Sequence, residues 1–131
     1  RIRLAATDQP GNYVDLLAMP ESMKGLAGSG TVHHLAFATA DRHSLEQLRQ
    51  RILPLKANAT ELLDRKYFSS VYFREPGGVL FEMATTTPGF TVDEPIENLG
   101  GSLQLPTRFE FRRAAIEQSL IPVNNHYEQY R

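Results

Sequence analysis

Two adjacent histidines and one glutamate are the residues of this chain whose types and positions could hold a metal ion. His33 and His34 stand in the apolar run Val32–Phe37, and Glu82 stands inside a second apolar run, Leu80–Thr85. A carboxylate in an apolar strand is costly to bury unless it is paired or bound to a metal. One histidine and one carboxylate form two arms of a facial triad, which leaves open positions on non-haem iron.

Strand parity indicates which histidine could share a face with Glu82. Neighbouring residues of a strand point to opposite faces, so His34 lies beside the small Ala36, and His33 lies on the other face with bulky neighbours. If both strands belong to one sheet, His34 and Glu82 can point into one concavity. Spacing alone leaves this site open, because a single strand histidine is more often a core residue and a single strand glutamate more often faces water.

The elements that position these residues follow a β-α-β-β-β order over residues 31–86. A strand at about residues 31–38 is followed by a helix with Asp41 as its N-cap, ending near Pro54. The apolar residues of one helix face are Leu45, Leu48 and Ile52. We expect the side chains packed beneath that face to be Leu35, Phe37, Phe81 and Met83.

The last two strands of this module form a hairpin. Residues 66–73 are rich in aromatic and β-branched side chains, Glu75–Gly78 contains a Pro-Gly turn, and residues 79–85 return. A shorter extended piece precedes them at residues 59–63. The pattern predicts an α+β fold with a mixed, curved half-barrel sheet.

Other parts of the chain surround the module. Residues 1–18 indicate a hairpin, residues 19–30 a linker, and residues 87–131 a C-terminal extension with one helix. Thr107 and Glu110 fit a capping box for that helix, which should end before Pro122. The tail from Val123 with His126 is polar, and His43 at the start of the first helix is expected to be exposed.

The segment Thr7–Leu16 is similar to Arg74–Met83, since both place an acidic residue before a Pro-Gly turn and a carboxylate in the following strand. Residues 1–18 are therefore interpreted as the end hairpin of a preceding module of the same kind. The chain also begins without methionine inside a strand-like run, which favours a fragment of a longer polypeptide. Asp15 is one residue out of register with Glu82, so we expect that it does not bind metal.

Composition excludes several classes of protein. The 131 residues carry 14 Lys and Arg against 15 Asp and Glu, with no basic stripe, so a nucleic-acid partner is not expected. The sequence shows neither a membrane span nor a signal-peptide pattern. Cysteine is absent from the sequence, so disulfides and thiolate ligands are excluded and a cytoplasmic location is favoured.

Longer motifs carry a family resemblance. They are the strand Val32–Phe37, the run Asp64–Phe68 leading to Tyr72–Gly78, the run Leu80–Thr85, and the continuation Pro88–Phe90. Together they resemble the hydroquinone-type ring-cleaving dioxygenases of the glyoxalase/bleomycin-resistance/dioxygenase superfamily, which has the vicinal oxygen chelate fold. The resemblance covers residues 31 to about 122 and corresponds to the C-terminal portion of such an enzyme.

The resemblance implies a role for particular residues. The positions that match the Fe(II) ligands are His34 and Glu82, and those that match the substrate site are His33, Arg65 and Tyr72. His33 would do acid–base or hydrogen-bonding work, Arg65 would contact a substrate hydroxyl or anion, and Tyr72 would donate or accept a hydrogen bond. Mn(II) or another divalent metal could replace Fe(II). The third ligand, a histidine of the family's N-terminal domain, has no match in this chain.

The implied function is oxidative opening of a hydroquinone-type ring with O2 as co-substrate. The partner that completes the site would be the missing N-terminal domain of the same polypeptide, so the isolated chain is expected to be inactive; a homodimer is left open. Two alternatives remain at this point. One is a glyoxalase-type metal-dependent lyase or isomerase, and the other is a metal-free resistance protein of the same fold that binds a small molecule.

Overall fold

The computed structural model describes residues 1–22, 26 and 28–121. The chain divides into two compact units, Arg1–His33 and His34–Arg131, and each is described by itself. The expectations for His126 and for the tail from Val123 lie outside the described residues.

The first unit contains an antiparallel hairpin of two strands, β1 (Ile2–Ala5) and β2 (Tyr13–Leu16). Asp15 of β2 forms ion pairs with Arg1 and Arg3, and its distance to the Nε of Arg3 is 2.7 Å. These arginines lower the pKa of Asp15 well below its ordinary value. Asp15 is thus neutralised on the surface by two cations. That this hairpin ends a preceding module stays a prediction.

The second unit contains a four-stranded open sheet and a helix. Its elements are β3 (Leu35–Thr39), α1 (Arg42–Ile52), β4 (Leu63–Asp64), β5 (Ser69–Arg74) and β6 (Leu80–Thr85). The strands lie in the order β3-β6-β5-β4, with β3 parallel to β6 and the other neighbours antiparallel. The α+β fold with a mixed βαβββ sheet, predicted from the sequence, is confirmed.

The core lies between α1 and one face of this sheet. Leu45 of α1 and Val71 of β5 are fully buried and pack with Met83 of β6, while Leu48 and Ile52 are partly buried beside them. The expected apolar face of the helix therefore does contact the sheet. The alternate residues of β5 and β6, which include Tyr72 and Glu82, point to the opposite face.

The burial expected at the start of the module is only partly observed. Met83 is buried and Phe81 partly buried, but Leu35 and Phe37 remain 41% and 39% exposed. The prediction that helix α1 covers Leu35 and Phe37 is therefore wrong. Because β3 is an edge strand that pairs with β6 on one side, its outer side chains reach past the area that one helix covers. Phe37 contacts Phe81 edge-on, with ring centroids 5.3 Å apart.

The N-terminus of α1 is capped as the sequence predicts. The carboxylate of Asp41 accepts a hydrogen bond of 2.7 Å from the backbone N–H of Ser44, and Asp41 has extended backbone angles. His43 in the first turn is exposed, as expected, and its ring contacts the Gln47 amide. The Ser44 backbone bond is the main reason why the pKa of Asp41 lies below its ordinary value of 3.8.

Removing this cap should destabilise the protein in a pH-dependent manner. Asp41→Ala is expected to lower the thermal midpoint by a few degrees at neutral pH, because the Ser44 N–H loses its acceptor. Since the folded-state pKa is depressed, the charge-dependent part of the stabilisation is present above pH 3.8 and is lost as the pH falls through the lower folded-state value. Thermal unfolding at several pH values checks this. Asp41→Asn, which keeps an acceptor without the charge, should retain most of the stability and lose the pH dependence.

The predicted capping box in the C-terminal extension is wrong. Thr107 lies inside a 3-10 segment, Thr107–Arg112, and the α-helix α2 spans only Arg113–Ser119. The carboxylate of Glu110 accepts two hydrogen bonds of 2.8 Å from the guanidinium of Arg113, so it is not available to the backbone at Thr107. A bidentate charged pair is a stronger local interaction than a neutral cap.

No helix within the described parts of the chain is both long and apolar enough to cross a bilayer.

Candidate functional site

His34 and Glu82 meet on the sheet face that α1 does not cover. The Nε2 atom of His34 lies 2.9 Å from Oε2 of Glu82, and the histidine precedes β3 while the glutamate lies in the middle of β6. The parallel pairing of Leu35 with Phe81 and of Ala36 with Glu82 brings the start of β3 next to the middle of β6. The structure thus brings together the two residues that the resemblance matched to metal ligands.

The histidines do not lie in a regular strand, in contrast to the sequence prediction. The predicted strand of residues 31–38 is observed as Leu35–Thr39, because the ladder to β6 starts with the Leu35–Phe81 pair, one residue into β6. Parity arguments therefore do not apply to His33 and His34. The backbone before Leu35 is irregular, which is how His34 can turn towards Glu82.

Glu82 is the buried charge of this site. It is 4% exposed, and its Oε1 atom makes no hydrogen bond with any residue in the described part of the chain. A buried carboxylate oxygen without a partner carries a large desolvation cost, and native structures tolerate such groups mainly where they serve a function. A nitrogen ligand and a carboxylate with a spare oxygen are a donor set that suits a divalent metal.

Tyr72 and Arg65 complete the cluster around Glu82. Tyr72 pairs across the sheet with Glu82, and its ring meets the His34 ring edge-on at a centroid distance of 5.8 Å. The guanidinium carbon of Arg65 lies 5.5 Å from the centre of the Tyr72 ring, which is a cation–π distance. Burial, and then the neighbouring Glu82 carboxylate, raises the pKa of the Tyr72 phenol. The phenol is therefore protonated at neutral pH and available as a donor.

His33, the remaining residue of the predicted site, is the last residue of the first unit and is exposed. Its proposed acid–base role stays a prediction.

Sequence reasoning missed Ser70, which is fully buried on the same face of β5 as Tyr72. Its hydroxyl has no hydrogen-bond partner among the described residues. The two-residue spacing of Ser70 and Tyr72 in a predicted strand is the pattern that could have identified it.

The described residues supply two candidate metal ligands at this site, His34 and Glu82. Within residues 1–22, 26 and 28–121, no group of three or more His, Asp or Glu residues could hold a metal ion. The match of His34 and Glu82 to metal ligands, and of Arg65 and Tyr72 to substrate contacts, stays a prediction that the geometry supports.

No family model matches the chain. Among curated proteins, "Putative ring-cleaving dioxygenase MhqE" of Bacillus subtilis strain 168 is 44% identical over 122 residues, which cover 91% of this chain and 39% of that protein. A solved structure from Bacillus subtilis, titled as a putative dioxygenase, superposes with a TM-score of 0.85 at 39% identity over 93% of this chain.

The chain is a homologue of proteins that are named as ring-cleaving dioxygenases. A further relative is "Chlorohydroquinone/hydroquinone 1,2-dioxygenase" of Sphingobium indicum, 44% identical over 86 residues, which cover 63% of this chain and 26% of that protein. The family resemblance drawn from the motifs of residues 31–122 is thereby confirmed. The chain spans 39% of the length of MhqE and 39% of the protein in the solved structure.

Proposed function

We propose that this chain is part of a metal-dependent dioxygenase that opens the ring of hydroquinone-type aromatic compounds with O2. The observation that carries the proposal is the contact between His34 and the buried Glu82, whose second carboxylate oxygen has no partner among the described residues. Homology to proteins named as ring-cleaving dioxygenases supports it. The expected cytoplasmic location stays a prediction.

The residues that would hold the metal are His34, through Nε2, and Glu82, through its carboxylate. A divalent metal bound there, Fe(II) by the family resemblance, would acidify a bound phenol and let the aromatic compound and O2 react within one coordination sphere. The two ligands that this chain would supply are a nitrogen and a carboxylate, which suit Fe(II) and Mn(II) alike.

The remaining residues of the site would bind and orient the aromatic compound. Ala36 pairs with Glu82 on β6, and Ala84 follows on the same face, so small side chains leave space for a planar ring. The protonated Tyr72 phenol can donate a hydrogen bond to a ring oxygen. The Arg65 side chain is exposed, and its guanidinium lies beside the Tyr72 ring. It can therefore attract an ionised hydroxyl of the aromatic compound. His33 would exchange a proton with the substrate.

We further propose that the third ligand comes from outside these 131 residues. The chain spans about two fifths of the length of the curated relative MhqE, and the described residues supply two ligands near one another. A site with two protein ligands holds a divalent metal more weakly than a triad does. The isolated chain should therefore be inactive, and the full-length protein active.

Oxygen uptake tests this function. Full-length protein loaded with Fe(II) is mixed with a panel of hydroquinones, and oxygen consumption is compared with loss of the aromatic absorbance. We expect about one O2 consumed per ring opened, because both oxygen atoms enter the product, and no uptake by the isolated chain. Metal content is measured on both samples.

The other outcomes identify the alternatives. Metal-dependent turnover of a substrate without oxygen uptake would indicate a lyase or isomerase, and tight binding of an aromatic compound without metal or turnover would indicate a sequestering protein. Comparable oxygen uptake by the isolated chain and the full-length protein would contradict the proposal of an external ligand.

A further inference from the structure

The turn that carries Arg65 is strained. It connects β4 to β5, and Lys66 at its centre has a φ of +69°, a conformation that non-glycine residues seldom adopt. The turn is closed by backbone hydrogen bonds from Arg65 to the Phe68 carbonyl (2.9 Å) and from Tyr67 to the Arg65 carbonyl (2.8 Å). Such a conformation persists only where surrounding contacts stabilise it.

One of these contacts is local, since the backbone N–H of Lys66 donates to the Asp64 carboxylate at 2.7 Å, and the others come from the C-terminal extension. One carboxylate oxygen of Asp93 accepts a hydrogen bond of 2.6 Å from the Tyr67 hydroxyl and also lies 2.7 Å from the Lys66 ammonium. The Asp93 side chain is 15% exposed. The backbone N–H of Gly89 donates to the Tyr67 carbonyl at 2.8 Å, and the Phe90 ring packs against the Tyr67 ring at 4.9 Å. The two residues that follow Arg65 are thus fixed by residues more than twenty positions away.

The charges agree with this geometry. The Lys66 ammonium and then the Tyr67 hydroxyl hold the pKa of Asp93 below its ordinary value, and the Asp93 carboxylate raises the pKa of Lys66. Asp93 is therefore an anion and Lys66 a cation at neutral pH. A charge-assisted hydrogen bond to each neighbour keeps the turn in one conformation.

We propose that Asp93 is a positioning residue, which holds the Arg65–Tyr67 turn so that the Arg65 guanidinium stays beside the Tyr72 ring. Asp93 does not touch the proposed substrate site and acts through Lys66 and Tyr67. The catalytic consequence rests on the proposed function, whereas the geometric consequence does not. The extension after β6 is thereby assigned a role in orienting the proposed substrate site.

The experiment compares Asp93→Asn with a matched control in the same extension. Glu94→Gln is the control. The Glu94 carboxylate accepts hydrogen bonds from the backbone N–H groups of Gly100 and Ser102, and it takes no part in the bonds described above that fix the turn. Both substitutions replace a carboxylate by an amide at adjacent positions. Arg65→Gln defines the result of losing the guanidinium altogether.

The first measurement is the NMR signal of the Tyr72 ring in the 131-residue chain, assigned with Tyr72→Phe. Asp93→Asn should shift this signal towards its position in Arg65→Gln, because the cation leaves the ring, and Glu94→Gln should leave it in place. Tyr67→Phe, which removes one hydroxyl, should cause a smaller shift in the same direction if Asp93→Asn folds poorly. An unchanged Tyr72 signal in the folded Asp93→Asn and Tyr67→Phe proteins, or an equal shift in Glu94→Gln, would overturn the proposal.

The second measurement is oxygen uptake by the full-length protein. Asp93→Asn should lower kcat/KM by about 10-fold through misplacement of Arg65, and it should add no further loss in the Arg65→Gln background, whereas Glu94→Gln should stay close to wild type. Independent, multiplicative losses would overturn the positioning role. A Tyr72 shift without oxygen uptake in any sample would support the role of Asp93 and refute the dioxygenase instead.

Discussion

Oxygen consumption with a hydroquinone substrate is expected to fall about 100-fold or more in the Glu82→Gln protein. Glutamine keeps the shape of glutamate and removes the negative charge that would hold a divalent metal beside His34. Substitution of groups that merely support metal ligands already costs about 10–100-fold in affinity or activity, so loss of a ligand should cost at least as much. Metal content and oxygen uptake are measured on the same full-length sample. The His34→Ala variant, which removes the other proposed ligand, is measured in the same way.

The matched control is Asp15→Asn, which also neutralises a strand carboxylate. Asp15 follows a Pro-Gly turn as Glu82 does, but two arginines pair with it on the surface of the first unit. Metal content and oxygen uptake should stay near the wild-type values in this variant. Equal losses in Asp15→Asn and Glu82→Gln would contradict a specific role for Glu82.

Stability separates a functional role of Glu82 from a structural one. In the presence of a chelator, Glu82→Gln is expected to unfold at a urea concentration equal to or above that of the wild type, because the buried carboxylate has an oxygen without a partner among the described residues. With metal added, the wild type should gain stability and the variant should not. A clear loss of stability in the chelated variant would indicate that Glu82 serves the fold.

The second large effect is expected in the core. Leu45→Ala should lower the free energy of unfolding by about 2–5 kcal/mol, because it leaves a cavity between helix α1 and the sheet. Leu45 is fully buried against Val71 and Met83. These three are the buried apolar residues of the described chain, so few others can fill the space. Urea unfolding at neutral pH measures the change.

Leu55→Ala is the control for this core substitution. It removes the same atoms from the 3-10 segment Leu53–Leu55 after α1, where the side chain is 73% exposed, and should change the free energy of unfolding by no more than about 0.5 kcal/mol. Similar losses for Leu45→Ala and Leu55→Ala would contradict the assignment of the core.

Local patterns in the sequence were sufficient for much of the fold. The apolar spacing of α1, its Asp41 cap and the alternation of Phe81 and Met83 with Glu82 in β6 depend on neighbours along the chain, and all three are observed. His34 contacts Glu82 as expected from placing the two segments in one sheet, although His34 itself precedes the strand. Edge position could not be predicted in this manner, which is why the exposure of Leu35 and Phe37 was missed.

Competition between alternative partners and contacts between distant segments were the other limits. A Thr-x-x-Glu pattern favours a capping box, but the nearby Arg113 competes for Glu110 and prevails. The contact of Asp93 with Lys66 and Tyr67 joins the extension to a turn that precedes β5, and no periodicity encodes it. Such pairs depend on the tertiary arrangement, so they become visible only in the folded structure.

The parallel pairing of β3 with β6 also bears on the order in which the protein folds. The β5–β6 hairpin needs only a short turn to close, whereas β3 must reach β6 across the helix and two intervening strands. Closing a long loop costs chain entropy before any contact compensates for it, so local hairpins form earlier than distant parallel pairs. The contact between His34 and Glu82 depends on that late step. During synthesis, the site would therefore become competent for metal only after the whole module has emerged.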